Sequence, residues 1–347
     1  MVKPLVFLAG AAFALAGLFN YMAHRPQPSR APEVPASGVL DQATARKPEP
    51  PASLPQAQDG FDSSRAWEHL RQIVAIGPRP SGSAALAKTR AYIAQQVAAF
   101  GLDVQEQKFT AQTPNGPVEM VNLIVRLQGK RPDKILITGH YDTKLFKEFT
   151  FVGANDAGSS SAFLVELARA LKDRPRELTY ELVWFDGEEA VCANWDDCGQ
   201  SKLATWTPAK PGNPDNTYGS RHYVVESMKT GIRSVRAMIL VDMIGERGAV
   251  FQRESNSTAW LKDIIWGTAK ELGHDKTFVS TEYAIDDDHV PFLRAGVPSV
   301  DIIDLEYTSW HTATDTLDKL AARSLQIVGD VVVASLPKIE KRILQQK

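Results

Sequence analysis

Residues Val183–Ala190 read "VWFDGEEA". An apolar run stops abruptly, and Asp186, Glu188 and Glu189 follow within four residues. Like charges this close repel one another and usually belong on a solvated surface. An open α/β sheet gives them another place, because its ligands sit in the crevice beyond the carboxyl ends of buried strands. The same arrangement recurs along the chain. "ILITG" is followed by His140-Tyr141-Asp142, "MILV" by Asp242, and "SVDIID", after a short loop, by Trp310-His311-Thr312. "GANDAG" sets Asp156 just ahead of a helix.

Around these points strands and helices alternate. Asp62 or Ser63 caps a helix through Ile76 with Trp67, Leu70, Ile73 and Val74 on one face. "GPRPSGS" breaks it, and a second helix runs from about Ala84 to Phe100, ended by Gly101. Strands are expected at Val104–Thr110, Val121–Leu127, Ile135–Thr138, Leu178–Phe185, Ala237–Val241 and Ser299–Ile303. Helices are expected at Ser159–Leu171, near Arg221–Lys229, at Thr258–Leu272, and from Leu317 to the end. "KILITG" and "AMILVD" are continuous apolar runs, as in strands covered on both faces by helices. The pattern predicts an α/β fold: a three-layer α/β/α sandwich around a central mixed, largely parallel sheet.

The 347 residues are 44% hydrophobic and 23% charged, an ordinary globular balance. A net charge of −2 offers no basic field for nucleic acid. Two cysteines, Cys192 and Cys198, are too few for a disulfide scaffold. Lys3 precedes an uncharged apolar run from Leu5 to Phe19, with Ala14-Leu15-Ala16 as a small-x-small cleavage site. Residues 1–23 therefore read as a signal peptide or an uncleaved membrane anchor. Either places the rest of the chain outside the cytoplasm, periplasmic, extracellular or anchored. Residues 24–58 are rich in Pro, Ala and Ser and read as an extended linker, leaving 59–347 as the folded domain.

Taken singly, the polar strand ends have plain explanations. Asp242 could be a turn residue, Asp156 a helix cap, His311 an exposed loop residue, and Glu188-Glu189 a solvated helix start. Their repetition at one topological position argues for convergence instead. Several carboxylates and two imidazoles in one crevice need a cation to offset their repulsion. Two histidines with three or more acids suit zinc.

In order and spacing, "GHYDT…GANDAG…FDGEE…VDM…WHT" resembles the M28 superfamily of zinc aminopeptidases and their glutaminyl cyclase relatives. The resemblance spans roughly residues 60 to 345. It implies ligands at His140, Asp156, Glu189, Asp242 and His311, with Glu188 as general acid and base. Aminopeptidases of this kind hold two zinc ions and hydrolyse peptides. Glutaminyl cyclases work with one and convert an N-terminal Gln to pyroglutamate with release of ammonia. "HYDTK" with Lys144, "YGSRH" (Tyr218–His222), "IDDDHVPFLRAGVPSVDII" and "SWHT" are similar to the cyclase forms. The expected reading is thus a zinc-dependent glutaminyl-peptide cyclotransferase acting on peptides or proteins with N-terminal Gln, with an M28 aminopeptidase as alternative. Asp156, Glu189 and His311 would hold one zinc, and His140 with Asp242 would serve a second metal in a peptidase. Asp242 and Asp287 would share a proton, which turns Asp242 away from a second metal. Trp195, Ile285 and Trp310 would wall a slot for the Gln side chain. Cys192 and Cys198 lie in one loop and would pair in an oxidising compartment. A binding domain without activity is disfavoured because no ligand and no base is missing. The domain is expected to be monomeric and to touch membrane only through its N-terminal segment.

Overall fold

The computed structural model describes residues 60–193, 195, 198–199 and 201–345. The expected leader and linker, 1–23 and 24–58, lie outside them. No helix among the described residues is long and apolar enough to cross a membrane.

The chain opens with two helices, α1 (Ser63–Ile76) and α2 (Ala84–Ala99). Asp62 caps the first by accepting the Ser64 amide, and Ser83 caps the second by accepting that of Leu86. A hairpin follows, β1 (Val104–Thr113) and β2 (Gly116–Leu127). Both strands run longer than their apolar residues predict, because cross-strand pairing extends through the polar stretch to the turn at Thr113↔Gly116. Next come β3 (Arg131–His140), the tight turn Ala154–Ser159, α3 (Ser160–Leu171), β4 (Leu178–Phe185), α4 (Tyr218–Thr230) and β5 (Val235–Asp242). The rest comprises β6 (Phe251–Glu254), α5 (Ala259–Glu271), β7 (Phe278–Tyr283), α6 (His289–Arg294), β8 (Ser299–Ile303) and α7 (Ala322–Gln345).

Six strands form the central sheet in the order β1-β2-β4-β3-β5-β8. The hairpin is antiparallel and joins β4 antiparallel, whereas β4, β3, β5 and β8 run parallel. Alternate residues feed two cores. Ile135, Ile137, Leu182, Trp184, Ile239 and Val241 pack under α1, α3, α5 and α7. Leu136, Val183, Phe185, Met238 and Leu240 pack with Tyr223 and Val224 of α4 and Val290 and Phe292 of α6. This is the expected three-layer sandwich with a mixed, largely parallel sheet.

The sequence pattern does not reveal β6, β7 or α6. β6 is only four residues long, β7 is mostly exposed, and together they form a separate parallel pair. The last helix starts at Ala322 rather than Leu317. Leu317–Lys319 forms a single 3₁₀ turn, ended by extended backbone at Leu320.

Candidate active site

Parallel pairing brings four strand ends to one edge: His140 lies opposite Phe185, and Asp242 opposite Ile303. The side chains there form two triplets that share Asp156. In the first, His140 Nε2 lies 3.2 Å from Asp156 Oδ1 and 3.2 Å from Asp242 Oδ1. In the second, His311 Nε2 lies 3.2 Å from Glu189 Oε1 and 3.4 Å from Asp156 Oδ2. Each imidazole nitrogen thus faces two carboxylates but has at most one proton to offer. Glu189 Oε2 is buried with no hydrogen-bond donor. A cation at either focus satisfies these atoms together, and the imidazole-carboxylate donor set fits zinc. The field of the site already favours positive charge. Although burial alone would lower it, the His311 pKa is pushed up to about 10 by Glu189 and Asp156. His140 is raised likewise, by Asp242, Asp142 and Asp156, against its burial.

Buried contacts hold each candidate ligand. Asp156 sits in the turn before α3. Its amide and that of Asn155 donate to the Asp315 carboxylate at 3.2 and 2.8 Å, and Tyr307 Oη donates to the same group at 2.6 Å. Fully buried Arg79 donates to the carbonyls of Val152 (2.7 Å) and Gly153 (3.0 Å) just upstream. His311 has a left-handed backbone, φ 53°, uncommon outside glycine. Its ring stacks on Trp310 at 4.4 Å and meets the edges of Phe146 and Phe151. Met243, next to Asp242, is also left-handed at φ 45°. Strained residues flanking ligands are typical of sites whose surroundings over-determine the backbone.

The Glu188-Glu189 turn is clamped from three sides. Asp142 accepts the amides of Glu188 and Glu189 at 3.2 and 3.3 Å and the Ser81 hydroxyl at 3.4 Å, and it lies 3.4 Å from His140 Nδ1. The amides of Thr217 and Tyr218 donate to the carbonyls of Glu188 (2.8 Å) and Gly187 (2.7 Å). Asp186 turns away from the cavity, accepting Ser81 Oγ at 2.6 Å and the Val121 amide at 2.8 Å. Burial and then Asp142 raise its carboxyl to about 7. Gly219 explains "YGSRH": a Cβ there would lie 2.5 Å from the Asp186 carbonyl and 2.4 Å from Asn122 Oδ1. Gly219→Ala is therefore expected to destabilise the fold by about 1–3 kcal/mol, read as a lower midpoint in urea unfolding at unchanged slope.

A cavity of about 540 Å³ opens over the triplets. Asp156, Glu188, Glu189, Asp242, Asp287 and His311 line its floor, and Trp195, Ile285 and Trp310 its walls. Glu188 is buried, with Oε2 3.8 Å from His140 Nδ1. Burial, then Asp287 and Glu189, raise its carboxyl well above the ordinary range, with His140 opposing. Asp287 is raised by burial and then by Asp242. Asp242 is nevertheless not turned away: its Oδ1 accepts the Met243 amide at 2.8 Å and stays beside His140. Cys192 and Cys198 are disulfide-bonded across the loop that carries Trp195. Lys144 Nζ ties that loop down through the carbonyls of Ala190 (2.7 Å) and Cys192 (2.9 Å).

All the site residues expected from the sequence thus meet in one place. Sequence reasoning missed Arg79, Asp142 and Asp315. The "HYD" and "GPRP" stretches carried a signal for the first two, while Asp315 left none beyond its nearness to His311.

The description "Peptidase family M28" matches residues 122–336. A glutaminyl-peptide cyclotransferase-like protein of Bos taurus is 29% identical over 301 residues, 76% of this chain and 74% of the relative. The crystal structure of an Acidobacteriales bacterium glutaminyl cyclase superposes with a TM-score of 0.74 at 35% identity, covering 85% of this chain and all of the other. A leucine aminopeptidase precursor from Bacteroides thetaiotaomicron superposes with a TM-score of 0.70 at 25% identity, over 80% of this chain and 97% of the other.

Proposed function

The chain belongs to peptidase family M28, in its glutaminyl cyclase branch, and on that premise we propose that it converts the N-terminal Gln of peptides to pyroglutamate with release of ammonia. One observation carries the reading. A buried carboxyl, Glu188, stands beside the Asp156-Glu189-His311 triplet at the floor of a cavity with apolar walls.

Asp156, Glu189 and His311 would hold a zinc ion, which would supply Lewis-acid polarisation of the substrate's γ-carbonyl. The chain's own residues do the rest. Trp195 and Ile285 sandwich the Gln side chain and exclude water. Trp195 Nε1, buried without an acceptor, is a donor for the substrate backbone. Asp242 and Asp287, both lining the cavity floor, hold the α-ammonium. Glu188 accepts a proton from that ammonium, freeing its lone pair. The nitrogen attacks the γ-carbonyl carbon and closes the five-membered ring. The bond from that carbon to the amide nitrogen breaks as Glu188 returns its proton to that nitrogen, and the second proton of the ring nitrogen follows through Glu188, so that a lactam N–H remains and the departing nitrogen leaves as ammonium. No water enters the balance.

A second reading, a two-zinc aminopeptidase, is favoured by the completeness of the His140-Asp156-Asp242 triplet. Gln- and Leu-initiated fluorogenic peptides separate the two. Ammonia release from the Gln substrate with its peptide bond intact is the expected result, and liberated Leu would reverse the assignment. The disulfide and the apolar N-terminal run support a place outside the cytoplasm.

A further inference from the structure

The "IDDDHVPF" segment has a residue without a part in the chemistry. His289 begins α6 and is fully buried, with Nε2 3.2 Å from Glu254 Oε2 and Nδ1 3.7 Å from Asp301 Oδ2. Glu254, at the end of β6, is as deeply buried. Its carboxylate also accepts the amides of Asn256 (2.9 Å), Ser257 (2.6 Å) and Ile285 (3.4 Å) and the Ser257 hydroxyl (2.7 Å). Asn256 completes a clasp by donating its side-chain amide to the Ile285 carbonyl at 3.1 Å. Burial alone would raise the Glu254 carboxyl, but His289 and the neighbouring amides hold it at about 2. It is therefore an anion throughout the physiological range.

These contacts grip both ends of one short segment. Ala284–Asp287 has no regular structure, yet it supplies Ile285 to the cavity wall and Asp287 to the floor. Glu254 holds it at Ile285 through the backbone and at its far end through His289. Ser257 extends the grip to β8 by accepting the Asp301 amide at 3.0 Å. A buried carboxylate with one imidazole and four other donors is a stiff joint, since losing any partner leaves polar atoms unsatisfied in the core.

We propose that Glu254 and His289 are positioning residues that act as one unit, fixing the Ala284–Asp287 segment so that Ile285 and Asp287 face the substrate in register. The proposal rests on the cyclase reading for its substrate, but not for its geometry. A displaced Asp287 slows turnover, and a displaced Ile285 weakens grip on the Gln side chain.

The test is a double-mutant cycle on the full chain, with zinc content and thermal melt recorded beside kcat and KM for a Gln-initiated peptide. Glu254→Gln and His289→Gln are each expected to lower kcat/KM by about 10–100-fold with zinc retained. The double variant should lose little beyond the worse single one. Losses that multiply would overturn the single-unit claim. Activity within about twofold of the parent, or loss in step with zinc, would overturn the positioning role. Asn256 is exposed, so Asn256→Ala keeps the test alive where the buried variants do not fold. It should raise KM by about two- to tenfold, the worth of one hydrogen bond, with kcat less changed. An unchanged KM overturns the clasp. A parent that releases Leu instead of cyclising Gln refutes the substrate reading alone, and the same variants then report on the segment through Leu release.

Discussion

Glu188→Gln is expected to keep its zinc and lose turnover by roughly 10²–10⁴-fold, the usual contribution of a general acid–base group. The amide matches the carboxyl in shape but neither accepts nor returns the proton that moves from the α-ammonium to departing ammonia. The metal should stay because Glu188 is outside the Asp156-Glu189-His311 triplet. The turn should hold too, since it is fixed by backbone amides on Asp142 and by the amides of Thr217 and Tyr218. KM should move little, which separates lost proton transfer from lost binding. Zinc analysis beside steady-state kinetics reads both quantities. Retention of more than about a tenth of the parent kcat would remove Glu188 as the proton carrier.

Removing the metal should have the second large effect. Dialysis against a chelator is expected to abolish turnover, and one equivalent of zinc per chain to restore it. Stability should fall as well. Five acids, Asp156, Glu188, Glu189, Asp242 and Asp287, converge on the cavity floor, and burial with mutual repulsion already raises Glu188, Glu189 and Asp287. A cation that binds only the folded chain adds about 4 kcal/mol when present at 1,000 times its dissociation constant. A melt of the metal-free protein should fall accordingly and recover with zinc. A stoichiometry of one supports the cyclase. Two ions in the active enzyme would point to the His140-Asp156-Asp242 triplet as a second working site. The orientation of Asp242 does not disfavour that second ion, since its Oδ1 stays 3.2 Å from His140 Nε2.

The candidate ligands were legible because each sits where an apolar strand stops or a helix begins, and burial of β3, β4, β5 and β8 writes that position into the residue pattern. His140, Glu189 and Asp242 follow strand ends, and Asp156 and His311 lie on the loops that the next elements fix. Asp142 and Arg79 were not legible as functional groups. Asp142 works through backbone amides beyond the neighbouring strand β4, 46 and 47 residues downstream, and Arg79 through carbonyls 73 and 74 residues downstream. β6 escaped notice because four residues with two polar ones between apolar and acidic ends have no period to detect. That omission hid Glu254, and with it the role of His289.

For "VWFDGEEA" the sequence alone determined that a core strand ends in three acids, because the apolar run stops where the carboxylates begin and the same pattern repeats at other strand ends. Only the tertiary structure divided their labour. Asp186 turns inward to Ser81 and the β2 backbone, Glu189 turns to His311, and Glu188 faces the cavity. That division depends on which neighbours, from residues 81 to 311, stand within a few ångströms in a place water does not reach. Strand order and burial set those neighbours, and no local pattern of residues encodes them.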